Sequence, residues 1–261
     1  MSGTGSGRER LGGPAAGTLM PGKDEEFEPA DELRAPVPRH VAIIMDGNRR
    51  WARARGLPEM DGHVAGVEAI RPVVRHAVAR GIEVLSLYAF SRENWARGPD
   101  EVSGLLTLLE GAIRRETDTL VAEGVEVRLL GRMDDLPSRT RRSIGEALAK
   151  TAGGGRLVLN VAFNYSGRSE LVDAIRRLVR AGVRPEEIDE DTVTAALYTA
   201  DLPDPDLVIR TAGEQRLSNF LIWQSAYAEL YTCPDLWPDF GPATLDGALL
   251  EYASRTRRFG R

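Results

Sequence analysis

Seven consecutive residues, Met45-Asp46-Gly47-Asn48-Arg49-Arg50-Trp51, put a carboxylate, a glycine and two guanidinium groups where a strand reads into a helix. That mixture suits a metal-bound polyphosphate. Arginines fork onto phosphate oxygens, Gly47 lets the backbone approach an anion, the first N–H groups of a helix favour negative charge, and Asp46 is a hard oxygen donor for a divalent cation. The bland alternative makes Asp46 an N-cap and Arg49 and Arg50 solvated charge. A second cluster, Phe90-Ser91-Arg92-Glu93-Asn94-Trp95-Ala96-Arg97, brings hydroxyl, acid, amide, indole and guanidinium into one loop. Its bland alternative has Trp95 covering the core edge and Glu93 with Arg97 as a surface pair of small worth. The third cluster runs from Arg210 to Asn219: Arg210 and Arg216 flank the turn at Gly213 beside the Ser218 hydroxyl, a second seat for a diphosphate. Glu229 stands in an apolar stretch and needs a cation, either a metal or an arginine of the fold. His63 either contacts phosphate at a helix start or is a satisfied structural residue.

Other chemistries are excluded. There is no Gly-x-x-x-x-Gly-Lys-Ser/Thr loop and no Gly-x-Ser-x-Gly elbow, and Asp134-Asp135 does not continue into an Asp-Asp-x-x-Asp metal motif. One cysteine, Cys233, with three histidines argues against a Cys/His zinc site and against a disulfide-stapled secreted scaffold, so a cytoplasmic location is expected. The 34 Lys and Arg against 39 Asp and Glu give a formal charge of −5, which disfavours nucleic acid as a partner and makes any anion site local. No apolar run is long enough to cross a bilayer, and no signal peptide is evident.

The elements that must position these clusters read as an α/β domain. Residues 1–38 are rich in Gly, Pro and Glu without apolar period and are expected to be a disordered tail; residues 39–261 form one domain. Short β-branched runs at 41–45, 84–90, 125–131, 157–163 and 206–210 predict buried strands of a mostly parallel central sheet. Helical spacing at 63–80, 100–123, 137–151, 168–181 and 190–198 predicts flanking helices, the last after Asp189 as N-cap. Ligands of such sheets collect beyond the carboxyl ends of the strands, where all three polar clusters fall. The stretch 101–113, with Leu85, Leu87, Ala89 and Leu157, is expected either to wall an apolar tunnel beside them or simply to be core.

The segments HVAIIMDGNRRWA, the glycine-flanked His63, YAFSRENWAR, FNYSGR, PDPDLVIRTAGEQRLSNFLIWQSAYAELY, LWPDF and the closing RTRRFG, in this order, resemble the cis-prenyltransferases, the undecaprenyl-diphosphate-synthase-like family. The resemblance runs from about His40 to the C-terminus. It implies a homodimer that uses Mg²⁺ to condense isopentenyl diphosphate with an allylic diphosphate, the lipid product allowing a peripheral membrane contact. It further implies that Asp46 is catalytic and holds the metal, and that Asn94 serves proton removal. Gly47, Asn48, Arg49, Arg50, Trp51, His63 and Arg97 match the allylic-substrate positions, with Ser91, Arg92, Glu93 and Trp95 nearby. Arg210, Arg216, Leu217 and Ser218 match the isopentenyl diphosphate pocket, Glu229 a second metal contact, and Arg257 a position that completes the site.

The sequence departs from the family pattern at Glu59, where an arginine usually helps hold the allylic diphosphate, and in smaller ways at Ser166 and Ala212. A carboxylate there must point away, pair with an arginine such as Arg53 or Arg55, or change how the first substrate sits. The small Ala89 and the large Leu157 resemble tunnel residues of longer-chain members, so a cis-polyprenyl diphosphate of undecaprenyl type is the expected product. The alternatives are a short or irregular branched prenyl diphosphate and, in a different class, a non-catalytic partner subunit.

Overall fold

The computed structural model describes residues 36–255. Of the expected tail, residues 1–35 lie outside the described residues, as does Arg257; residues 36–38 lead without regular structure into the first strand. Six strands follow: β1 (His40–Ile44), β2 (Val84–Ser91), β3 (Val125–Leu130), β4 (Leu157–Tyr165), β5 (Leu207–Arg210) and β6 (Glu229–Thr232). The helices are α1 (Asn48–Ala54), α2 (Glu59–Glu68), α3 (Ile70–Ala79), α4 (Pro99–Ala122), α5 (Ser138–Thr151), α6 (Gly167–Arg180), α7 (Glu190–Ala195) and α8 (Pro242–Ser254). The strands form one sheet in the order β3-β4-β2-β1-β5-β6, every neighbouring pair parallel.

Sequence explains the layers. All five residues of β1 and all four of β5 are buried, so both strands read as continuous apolar runs with a helix layer on each face. Val41, Ile43, Leu85, Leu157 and Ile209 pack with Trp237 and Phe240 on one face; Ala42, Ile44, Val208, Tyr165 and Phe220 pack on the other. The order reverses at β1, whose neighbours are β2 on one side and β5 on the other, and that reversal opens a crevice beyond its carboxyl end.

The stretch expected as one helix over 63–80 is two, α2 and α3, with α1 ahead of them. Gly62 and Gly66 let α2 press onto α1: a Cβ at Gly62 would stand 2.1 Å from the Asn48 carbonyl, and one at Gly66 2.5 Å from Asn48 Oδ1. The expected cap of α7 is present, Asp189 Oδ1 accepting the Thr192 N–H at 2.8 Å. Helix α4, 24 residues and about 36 Å long, starts at the crevice and ends near the start of β3, at the opposite edge of the sheet.

Candidate active site

Past Ile44 the chain turns through Met45 and Asp46 into Gly47, whose φ of 109° favours glycine. Thr211, just beyond β5, pins this turn: its hydroxyl accepts the Asp46 N–H at 2.8 Å and donates to the Asp46 carbonyl at 2.6 Å. Asp46 is therefore no helix cap; its carboxylate faces Arg210. That arginine is 6% exposed and donates from Nη2 to Asp46 Oδ2 at 2.8 Å and from Nη1 to Ser218 Oγ at 2.7 Å, while its buried Nε has no partner. Arg50 stands 3.5 Å from Asp46 Oδ1 and 3.6 Å from Glu214. Burial raises the pKa of the Asp46 carboxyl, but the hydrogen bond and charge of Arg210, helped by Arg50, outweigh it and leave it below the usual value.

The loop around Arg210 is conformationally strained. Ala212, Ser218, Asn219 and Leu221 all hold left-handed backbone, with φ between 44° and 69°. Asn219, the last residue of the third cluster and given no role of its own there, binds three strand ends together. Its Nδ2 donates to Ser166 Oγ at 2.7 Å and to Glu93 Oε1 at 3.0 Å, and its Oδ1 accepts the Arg168 N–H at 2.9 Å. The available signal was the Ser-Asn pair just after an arginine-bearing turn, since Asn tolerates left-handed backbone.

Three cavities adjoin here. A cavity of about 530 Å³ is lined by Asp46, Ser91, Glu93, Asn94, Arg210 and Ser218. A second, of about 190 Å³, is lined by Asp46, Gly47, Arg49, Arg50, Arg53 and Arg97. The third, also about 190 Å³, is apolar, walled by Leu105, Leu109 and Ile113 of α4, Val74 of α3 and Leu159 and Phe163 of β4. Met45, Asn48 and His63 line all three. At that junction Asn48 Oδ1 and His63 Nε2 are buried without a hydrogen-bond partner, and orphaned buried polar atoms call for a ligand. Burial, with the charges of Arg97 and Arg49, lowers the His63 pKa and keeps the imidazole neutral despite Glu101 Oε1 at 3.7 Å.

Not every expected residue faces these cavities. Trp51 donates to Asp239 Oδ1 at 2.7 Å under the Arg55 guanidinium, Arg92 donates to Asp135, and Trp95 packs edge-on against Phe90 while donating to Asn164 Oδ1. Arg216 turns its guanidinium to Glu214 at 2.5 Å and, with Leu217, lines a separate cavity of about 320 Å³ beside Arg210. Arg97 pairs with Glu101 at 2.8 Å, not with Glu93. Glu229 is half-buried and takes Arg255 at 2.9 Å; it pairs in register with Leu207, three residues or about 10 Å down the sheet from Arg210. A single chain therefore does not bring Glu229 to Asp46. Leu85, Leu87 and Leu157 are core, and Ala89 lines the apolar cavity.

Among the described residues no group of three or more His, Cys, Asp and Glu is placed to hold a metal. Asp46, the carboxylate over the crevice, still fits a Mg²⁺ ion that takes one carboxylate and fills its shell with phosphate oxygens and water.

An arginine-lined mouth thus adjoins an apolar cavity, and comparison with known proteins gives the chain its family. The family model of the undecaprenyl diphosphate synthases matches residues 44–260. The chain belongs to the isoprenyl transferase family. The isoprenyl transferase of Heliobacterium mobile is 52% identical over 228 residues, 86% of this chain and 88% of that protein. That of Rhizobium meliloti is 50% identical over 240 residues, covering 90% and 95%. Among solved structures, lavandulyl diphosphate synthase from Lavandula x intermedia, in complex with dimethylallyl diphosphate, superposes with a TM-score of 0.84 at 38% identity, over 86% of this chain and 99% of that one. A probable undecaprenyl diphosphate synthase from Campylobacter jejuni gives 0.74 at 30% identity, over 87% and 100%. The expected α/β fold with its parallel sheet is thus that of the isoprenyl transferases, and the crevice beyond β1 is where this family member gathers its arginines.

Proposed function

We propose that this chain condenses isopentenyl diphosphate with an allylic diphosphate and repeats the step to give a cis-polyprenyl diphosphate. The observation that carries this reading is the junction at Met45, Asn48 and His63, where arginine-lined cavities meet an apolar one. Such a junction fits a molecule with an anionic head and a hydrocarbon tail. The tail direction assigns the seats: Arg49, Arg50, Arg97 and His63, next to the apolar mouth, hold the allylic diphosphate, and Arg210 with Ser218 holds the other. Asp46 lies between them and would carry Mg²⁺, which when bound supplies positive charge against the departing diphosphate.

The guanidinium groups of Arg50, Arg97 and Arg210 are held by hydrogen bonds before substrate arrives, so little reorganisation is spent as charge develops. The allylic C–O bond breaks, the olefin of isopentenyl diphosphate forms the new C–C bond, and one proton leaves. Leu105, Phe90 and the rest of the apolar wall keep water from the allylic cation. Asn94 Oδ1 accepts the Ser91 N–H at 3.0 Å, and a neutral carboxamide is a poor proton acceptor. Its part is to orient the second substrate, with phosphate oxygens as the stronger base.

A short or branched product is the second reading, favoured by the cavity volume and by Glu59, whose carboxylate takes Arg53 and Arg49 from the allylic seat. Labelled isopentenyl diphosphate offered with five-, ten- and fifteen-carbon allylic primers separates the readings by product chromatography. Repeated addition supports the polyprenyl reading, and a single condensation overturns it. A non-catalytic subunit is disfavoured because Asp46, Arg210 and Ser218 stand joined in one bonded array. The proposal includes a homodimer, consistent with Val172, Ile175 and Val179 exposed along one stripe of α6, which light scattering checks. No helix among the described residues is long and apolar enough to cross a membrane, so the proposed cytoplasmic enzyme would meet lipid peripherally.

A further inference from the structure

The apolar cavity has a second end. Helix α4 carries Glu101 at the mouth and Glu116 fifteen residues, about 22 Å, further down. At that depth Arg71 of α3 and Glu116 of α4 join the lining beside Leu120 and Val127, with Glu123 beyond them. Arg71 and Glu116 form a two-pronged pair, Nε to Oε2 at 2.8 Å and Nη2 to Oε1 at 2.7 Å, and one turn on Arg75 Nε meets Glu123 Oε1 at 2.5 Å. Both pairs run from α3 to the α4 side, a seam lined toward the cavity by Arg71, Glu116 and Glu123. Arg71 is about half exposed and Glu116 a quarter.

The volume says why this seam matters. An engineered cavity of about 150 Å³ admits benzene, so about 190 Å³ takes a hydrocarbon of one or two five-carbon units. A longer tail must leave the cavity, and the polar break in its apolar wall lies between α3 and α4.

We propose that the Arg71–Glu116 pair, backed by Arg75–Glu123, is a latch across the deep end of the hydrocarbon cavity that sets product length: growing chains pass between α3 and α4 only when it parts. The inference rests on the condensation reading above. An exposed ion pair is weak, so the latch delays passage and does not forbid it. It acts on the balance between release and a further addition and touches neither diphosphate seat.

The test measures product length with labelled isopentenyl diphosphate, the preferred primer and Mg²⁺ for wild type, Glu116→Ala and the swap Arg71→Glu with Glu116→Arg. Glu116→Ala should raise the share of products longer than the wild-type main product by about fivefold, the largest effect expected of one exposed pair, with the first condensation rate unchanged. The swap re-forms the pair and should return the distribution to the wild-type one. An unchanged distribution in Glu116→Ala, or a swap as long-chained as Glu116→Ala, overturns the latch while leaving the condensation reading intact. Absence of any condensation by the wild-type chain overturns that reading, and the latch with it.

Discussion

Two histidines mark opposite ends of the same sheet and are used in opposite ways. His40, at the amino end of β1, is 1% exposed and has both ring nitrogens bonded, Nδ1 to the Pro203 carbonyl and Nε2 to Ser86 Oγ, each at 2.7 Å. His63, at the carboxyl end, is partly buried, yet its buried Nε2 has no hydrogen-bond partner, Glu101 Oε1 standing 3.7 Å away. Burial lowers the pKa of both. The difference is in satisfaction: His40 spends both ring nitrogens on the fold, although Asn160 Oδ1 beside Ser86 has no partner, and the carboxyl end holds Arg210 Nε, Asn48 Oδ1 and His63 Nε2 in reserve. Left-handed backbone at Ala212, Ser218, Asn219 and Leu221 lies at that same end. Strain and unspent hydrogen bonds together separate the working end of this sheet from its anchored end.

The sharpest way to break this contrast is at Asp46. Asp46→Ala should lower turnover by about 10²-fold or more while the protein stays folded, since it removes a carboxylate that faces both diphosphate seats. Chelating Mg²⁺ from the wild type should stop turnover as completely, and the variant should no longer respond to added Mg²⁺. A variant with wild-type turnover would move the working centre away from β1.

The histidines are predicted to fail differently. His40→Ala strands Ser86 and the Pro203 carbonyl and leaves a hole, costing about 2–4 kcal/mol in denaturant unfolding with kcat per folded molecule unchanged. His63→Ala should leave unfolding almost untouched and raise KM for the allylic diphosphate about tenfold. Equal effects of the two on stability would erase the distinction between the ends.

Acid sharpens the same point. Unfolded His40 takes up its proton near about 6.5, whereas burial holds the folded imidazole neutral down to about 4. Between these values the unfolded chain binds more protons, so the stability His40 contributes is complete above about pH 6.5. Up to about 3 kcal/mol of it is lost as pH falls toward 4. A His40→Gln variant should show a flatter unfolding profile over that window.

Much of the anchored frame was legible from sequence, and particular residues show why. Runs such as Val84–Phe90 and Leu157–Phe163 are buried on both faces, so composition alone located five strands to within a residue or two. Strand β6 escaped because it is four residues long, half exposed, and paired along one edge only. Helix α8, starting at Pro242, lay beyond the last helical stretch read from spacing, and the break between α2 and α3 was hidden by continuous apolar period. At the site, Asp46, Arg50, Arg210 and Ser218, named from residue type, come together because their short loops leave few directions to point. Residue type could not foresee that the long side chains of Trp51, Arg92 and Trp95 bond Asp239, Asp135 and Asn164 on distant loops. The hydrogen-bond role of Asn219 depends on three loops meeting, which no local pattern encodes.

Glu59 is the finest adjustment. Its carboxylate accepts Arg53 Nε at 2.8 Å, and its other oxygen is 3.5 Å from Arg49, two arginines that line the cavity proposed as the allylic seat. The Arg53 hydrogen bond, aided by the charges of Arg53 and Arg49, lowers the Glu59 pKa, so it is ionised at neutral pH and competes with diphosphate for both guanidinium groups. Because the pair is open to water, the competition is weak and screened by salt. Glu59→Gln keeps the size and removes the charge. It should lower KM for the allylic diphosphate by about two- to fivefold with kcat unchanged, and by more at low ionic strength. A rise in KM instead would show that Glu59 holds Arg49 and Arg53 in the geometry the diphosphate needs, and would place this acid among the anchored groups of the fold, with His40, at the reactive end of the sheet.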